Sequence, residues 1–119
     1  MSAPRTRVKT GGGMVAIEEF QKLELIVAQI KDVQDHPQAD KLYVLRVDTG
    51  NGERQLVAGI RRSYAKETLL GKRIVMINNL QPAVIRGVES QGMLLAASDA
   101  EGVCLIAPHR EVALGSKVK

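Results

Sequence analysis

Residues 41–58 are written as a β-hairpin. Tyr43, Leu45 and Val47 alternate on one face, with Leu42 and Val44 opening the other. Asp48-Thr49-Gly50-Asn51-Gly52 follows as a turn, and residues 54–58 return as the second arm. Gly50-Asn51-Gly52 is therefore a hairpin turn and not a phosphate cradle, because no helix follows it. Aromatic residues are only 3% of the chain (Phe20, Tyr43 and Tyr64), while hydrophobic residues reach 45%, so Val, Ile, Leu and Ala must fill the interior. β-branched side chains suit the half-buried surface of a sheet, which tilts the expectation toward an all-β fold.

The other segments agree. Residues 17–22 read as one short helical turn with Phe20 as its anchor. Residues 23–33 are strand-like, with Leu25, Val27 and the more distant Ile30 apolar, and His36-Pro37 ends them. Ser63 is placed to N-cap a short helix through Leu70, with Gly71 just beyond its end. Residues 73–77 form the next strand. Residues 93–97 and 103–107 pair as a hairpin across Ser98-Asp99-Ala100-Glu101-Gly102, and residues 114–118 add a last short strand. Six or seven short strands with one inserted helix and short terminal additions describe a small Greek-key barrel, of which the oligonucleotide/oligosaccharide-binding (OB) fold is the leading member. Residues 1–14, which include Gly11-Gly12-Gly13, read as a flexible basic tail or linker, and residues 15–119 as the domain.

The net charge of +4 is unevenly distributed. Arg5, Arg7 and Lys9 make the tail basic. Residues 14–52 carry four bases and seven acids, and residues 53–92 carry seven bases and three acids, a local excess of +4. Such a concentration is the electrostatic footprint of a phosphate-binding surface, although solvated surface charge reads the same way. Catalysis finds no support: His36 and His109 sit singly in loop-like contexts, with no zinc-ligand spacing and no cofactor motif. The single Cys104 excludes an internal disulfide and suits a reducing, cytoplasmic setting. Within Val103-Cys104-Leu105-Ile106-Ala107 it is expected to be a small buried hydrophobe. No apolar run approaches the ~20 residues that span a bilayer.

Two stretches carry the functional reading. In His36-Pro37-Gln38-Ala39-Asp40-Lys41-Leu42, a purely structural role is open: Asp40 caps a turn and His36 bonds the loop backbone. Alternatively, Lys41 presents its ammonium to a phosphate. The window from Asn79 to Met93 mixes amide, guanidinium, hydroxyl and thioether groups that a buried strand does not need. Arg86 can fork onto a phosphate or stack on a base. Asn79 and Ser90 offer hydrogen bonds, and Met93 offers a polarizable surface to an unstacked base, a mixture that suits RNA.

As an ordered set, these residues resemble the tRNA-binding domain found at the C-terminus of bacterial methionyl-tRNA synthetases. They are also similar to free-standing structure-specific tRNA-binding proteins and to the endothelial monocyte-activating polypeptide domain. The markers run from Ile17-Glu18-Glu19-Phe20 through Leu23-Glu24-Leu25-Ile26-Val27-Ala28, the His36–Leu42 stretch, Val57-Ala58-Gly59-Ile60, Gly71-Lys72, Asn79-Leu80 and Pro82 to Arg86-Gly87, Ser90 and Gly92-Met93. The resemblance implies an OB barrel that binds tRNA by shape, without catalysis, cofactor or metal, and that commonly forms a homodimer. It implies tRNA contacts at Lys41, Asn79, Arg86, Ser90 and Met93, with Arg54, Arg61 and Lys72 as electrostatic support. An aminoacyl-tRNA synthetase is a further implied partner, and the expected dimer interface involves residues 17–27 and the C-terminal strand. Ile26 stands where the family usually has arginine, and Ala58 where serine is common. A peptide-binding secretion chaperone branch of the same fold is the alternative.

Overall fold

The computed structural model describes residues 13–119. Residues 1–12, most of the expected tail, lie outside it. A one-turn helix α1 (Ile17–Gln21) leads into the long strand β1 (Leu25–Asp35), which organises the molecule. Ile26, Ala28 and Ile30 point into the core, as alternation requires. The register then shifts between Ile30 and Asp32 in a β-bulge, so that the next core residue is Val33. Leu25 and Val27 are, with Ile30, the apolar positions that the sequence pattern singles out. These are buried too, but Leu25 joins a second cluster with Val75 and Ile77, covered by Leu95 and Val118.

The hairpin forms as its sequence pattern indicates, from β2 (Tyr43–Asp48) and β3 (Glu53–Ala58), in register from Tyr43↔Ala58 to Asp48↔Glu53. Its turn needs Gly50 at φ +84°, where an added Cβ would also sit 2.7 Å from the Leu114 carbonyl oxygen. A short helix α2 (Lys66–Leu69) inserts Leu69 into the barrel. Ser63 does not cap it, since the N-cap is Ala65. The Ser63 hydroxyl instead accepts the Val103 N–H at 3.0 Å. Strand β4 (Arg73–Ile77) pairs with β1 along Leu25↔Ile77 to Gln29↔Arg73.

Beyond β4 the strands are short: β5 (Ala83–Ile85), β6 (Val88–Ser90), β7 (Met93–Leu94), β8 (Ala96–Asp99), β9 (Gly102–Leu105) and β10 (Lys117–Val118). The main sheet has the order β3-β2-β1-β4-β7, with β10 also on β1. The β5–β6 hairpin occupies part of the Asn79–Met93 window, where the sequence pattern predicts no strand pair. Residues 93–97 divide between β7, which pairs with β4, and β8, which pairs with β9. Cys104 lies on the exposed side of that last hairpin, contrary to the expectation of burial. Alternation decides this: Val103 and Leu105 pack on the core while the residue between them faces outward. Phe20 is likewise no buried anchor, being 38% exposed.

The barrel closes without a continuous ladder. The outward edge of β3 meets Ser90 and Gln91 instead. Gln91 N–H donates to the Gln55 carbonyl at 2.7 Å, and Gln55 N–H donates to Gln91 Oε1 at 2.8 Å. Val57 N–H donates to Ser90 Oγ at 3.0 Å. One backbone N–H and two side-chain oxygens thus satisfy edge groups that a further strand would otherwise take.

Candidate nucleic-acid interface

The loop between β1 and β2 is shaped by His36, which is only 3% exposed. Its backbone N–H donates to the Leu42 carbonyl at 3.1 Å, closing the loop. Its Nδ1 accepts the Gln38 N–H at 3.0 Å, which places the ring proton on Nε2. That Nε2–H donates to the Ile85 carbonyl at 3.0 Å, 49 residues away. One imidazole therefore shapes its own loop and fastens it to the β5–β6 hairpin.

At the tip of that hairpin, Arg86 has φ +53° and Gly87 φ +90°. Two consecutive positive φ values define a type I′ turn, whose twist matches that of the flanking strands. Glycine adopts this geometry freely. Arginine does so at a cost of about 1–2 kcal/mol, because its Cβ crowds the following carbonyl. Arg86 Nη2 donates to the Gln38 carbonyl at 3.2 Å, so loop and hairpin are joined a second time.

Between them lies a cleft of about 450 Å³ lined by Gln38, Ala39, Asp40, Lys41, Leu42, Arg62 and Arg86. It gathers three cations and one carboxylate. Among the described residues, Lys41, Arg62 and Arg86 form no ion pair. Arg61 differs from its neighbour Arg62: its guanidinium is 3.4 Å from Asp35 Oδ2 and 3.5 Å from the Ala39 carbonyl, bracing the loop from behind. Lys66 shares Asp35 at 3.3 Å. The arginine expected from sequence is thus a brace, and Arg62, which was not expected, lines the cleft. The Arg61-Arg62 doublet was the available signal, but it does not say which side chain turns inward.

The remaining expected contacts separate. Ser90 is 4% exposed; its Oγ accepts the Val57 N–H and donates to the Gly92 carbonyl at 2.9 Å. Its donor and one of its two acceptor lone pairs are thus spent on the barrel seam, where the sequence reading placed an RNA contact. Asn79 is exposed, yet both ends of its amide are engaged. Oδ1 accepts the Glu24 N–H at 2.8 Å, and Nδ2 donates to the Lys22 carbonyl at 2.7 Å. It pins the junction of α1 and β1 and takes no part in the cleft. Arg54 lines a separate depression with Asn51, Glu53 and Lys117. Lys72 sits exposed between α2 and β4, where its carbonyl accepts the Ile30 N–H. Ile26 is core. Met93 is 46% exposed and does not line the cleft; it lies in a groove with Leu80, Ile85 and Gly92.

A barrel of short antiparallel strands with one inserted helix, its loops gathering cations at one end, defines an OB-type binding domain. The chain belongs to the tRNA-binding domain family, whose model matches residues 25–117. A methionine–tRNA ligase from Thermococcus onnurineus is 53% identical over 98% of this chain, which spans only 16% of that ligase. The crystal structure of a MetRS-related protein from Pyrococcus horikoshii matches with a TM-score of 0.82 at 38% identity, covering 89% of this chain and 98% of that one. A CsaA chaperone protein from Picrophilus torridus matches with a TM-score of 0.84 at 30% identity, covering 89% of this chain and 100% of that one.

Proposed function

We propose that this domain binds tRNA without catalysing a reaction, holding the phosphate backbone at Lys41, Arg62 and Arg86. The observation that carries the reading is the convergence of three cations, none ion-paired among the described residues, in a cleft that His36 and Arg86 tie together. Cations held near one another by a stiff frame recognise the spacing of phosphates, and so the shape of a folded RNA. A salt titration of tRNA binding tests it. Arg86→Ala and Lys41→Ala should each lower affinity and reduce the log–log salt slope by roughly 0.7–0.9 for each phosphate the variant no longer neutralises. Unchanged affinity and slope in both variants would overturn the assignment.

The domain serves a methionyl-tRNA synthetase, as an appended module or a separate partner, by raising the local concentration of tRNA. Its setting is the cytoplasm, where the exposed Cys104 thiol stays reduced. The partner at the N-terminal end is a second copy of the chain. Met14, Val15, Ile17, Phe20 and Leu23 form a run of exposed large hydrophobics there, beside a groove that ends at Lys117, Val118 and Lys119. Light scattering should report a dimer for the wild type and a monomer for Ile17→Glu. The chaperone alternative draws on the likeness to a CsaA chaperone and on the apolar groove at Met93.

A further inference from the structure

Asn51, Asn78 and Asn79 are the asparagines of the chain, and the fold treats them differently. Both ends of the Asn79 amide are engaged. Asn78 Nδ2 donates to Glu24 Oε1 at 2.6 Å, and its backbone N–H donates to the Glu24 carbonyl at 2.8 Å. Asn51 is exposed in the β2–β3 turn, and its side-chain amide makes no hydrogen bond among the described residues. It is also the asparagine that glycine follows.

The next peptide unit is just as open. The Gly52 carbonyl is held twice, by the Thr49 N–H at 2.9 Å and by the Thr49 hydroxyl at 2.8 Å. The Gly52 N–H has no partner among the described residues, and no atom lies within 4 Å of where a Cβ would stand. Elsewhere in the sheet the ladder occupies the peptide nitrogens, and side chains crowd the approach to them. Here an unbonded carboxamide adjoins an unbonded peptide nitrogen, and no side chain obstructs their meeting.

We propose that Asn51 is a site of spontaneous covalent modification, in which its side chain cyclises onto the Gly52 nitrogen and hydrolyses to aspartate or isoaspartate. The Gly52 nitrogen bonds to Asn51 Cγ as the Cγ–Nδ2 bond breaks. The proton from that nitrogen leaves with the amide as ammonia, and a succinimide ring remains. Water then opens the ring at one of its two C–N bonds. Opening at Cγ gives aspartate. Opening at the Asn51 main-chain carbonyl gives isoaspartate, whose main chain runs through Cβ and Cγ and is longer by one carbon. No oxidant or further reagent is needed.

The two products differ in what they do to the fold. Either one adds a carboxylate to the depression shared with Arg54 and Lys117, lowering the net charge of +4 by one. Isoaspartate also displaces Gly52 from Thr49, and with it the doubly held carbonyl. Packing around that turn is tight. A Cβ on Gly50 would lie 2.7 Å from the Leu114 carbonyl oxygen, and one on Gly115 would lie 2.9 Å from the Thr49 carbonyl oxygen. The lengthened turn therefore loosens from the segment that leads into β10. None of this depends on what the domain binds.

The test incubates the full chain in mildly alkaline buffer, native and in guanidinium chloride, and maps the peptides by mass spectrometry. Isoaspartate is detected with an isoaspartyl methyltransferase and labelled S-adenosylmethionine. The native protein should lose ammonia at Asn51 and accept methyl groups, while Asn78 and Asn79 stay intact. Asn51→Gln, which cannot close the same ring, should abolish the methyl acceptance. Hydrogen exchange at the Thr49 amide should accelerate in the purified isoaspartyl form and not in Asn51→Asp, which adds the charge without the extra carbon. If Asn51 stays intact in the native protein but reacts in guanidinium chloride, the fold protects it and the inference is overturned. Reaction first at Asn78 or Asn79, or methyl acceptance that survives Asn51→Gln, overturns it as well. An isoaspartyl form with unchanged exchange at Thr49 overturns the predicted loosening of the turn.

Discussion

Replacing Ser90 by alanine separates an RNA-contacting hydroxyl from one that closes the barrel. The wild-type Oγ accepts from Val57 N–H at 3.0 Å and donates to the Gly92 carbonyl at 2.9 Å, both within a buried seam. Alanine leaves the Val57 N–H without a partner where water does not reach, which costs about 1–3 kcal/mol. Removing the bond to the Gly92 carbonyl adds about 1 kcal/mol, as for an ordinary neutral hydrogen bond. The expected destabilisation is therefore about 2–4 kcal/mol, enough to lower the melting temperature of a domain this size by on the order of 10 °C. Urea unfolding should show a lower midpoint at an unchanged slope with denaturant. If the midpoint moves by less than about 0.5 kcal/mol equivalent while tRNA affinity falls, the hydroxyl faces the ligand and the seam argument is wrong.

Arg86→Asn should change stability and affinity in opposite directions. Asparagine tolerates positive φ at the first central position of a type I′ turn, so urea unfolding should show a gain of up to about 1 kcal/mol even without the hydrogen bond to Gln38, while tRNA binding weakens. Gly50→Ala combines a φ of +84° with a Cβ 2.7 Å from the Leu114 carbonyl oxygen, so thermal unfolding should report a destabilisation of at least about 2 kcal/mol. Asn79→Ala frees the Glu24 N–H and the Lys22 carbonyl, and hydrogen exchange at Glu24 should accelerate with a global destabilisation of about 1–2 kcal/mol. In that variant the tRNA affinity, measured where the domain is fully folded, should not change; a weakened affinity at an unchanged salt slope would return Asn79 to the RNA-binding face.

Strand positions are legible in the sequence where signals are local. Thr49-Gly50-Asn51-Gly52 announces the β2–β3 hairpin, and Tyr43, Leu45 and Val47 announce its buried face. The inward face of β1 is not legible, because one bulge residue after Ile30 shifts the parity of everything that follows. The β5–β6 hairpin is hidden by an arginine at a turn position that usually holds asparagine or glycine. The expected burial of Cys104 fails because a continuous apolar run does not show which alternate residues face outward.

For the site, the chain alone concentrates basic residues in its middle third, supplies an amide- and guanidinium-rich window around Arg86, and sets the domain class through its spacing of strands and turns. Only the folded structure decides which of those polar groups remain available to a partner. Ser90 finds its backbone partner 33 residues away, Asn79 one 55 residues away, and His36 reaches 49 residues to hold the Arg86 turn against the Lys41 loop. A hydroxyl, an amide or a guanidinium looks the same in sequence whether it satisfies a distant backbone group or faces solvent. Burial and pairing are long-range properties. Among the described residues they leave Lys41, Arg62 and Arg86 without a carboxylate partner, while engaging Ser90, Asn79 and Arg61 within the fold.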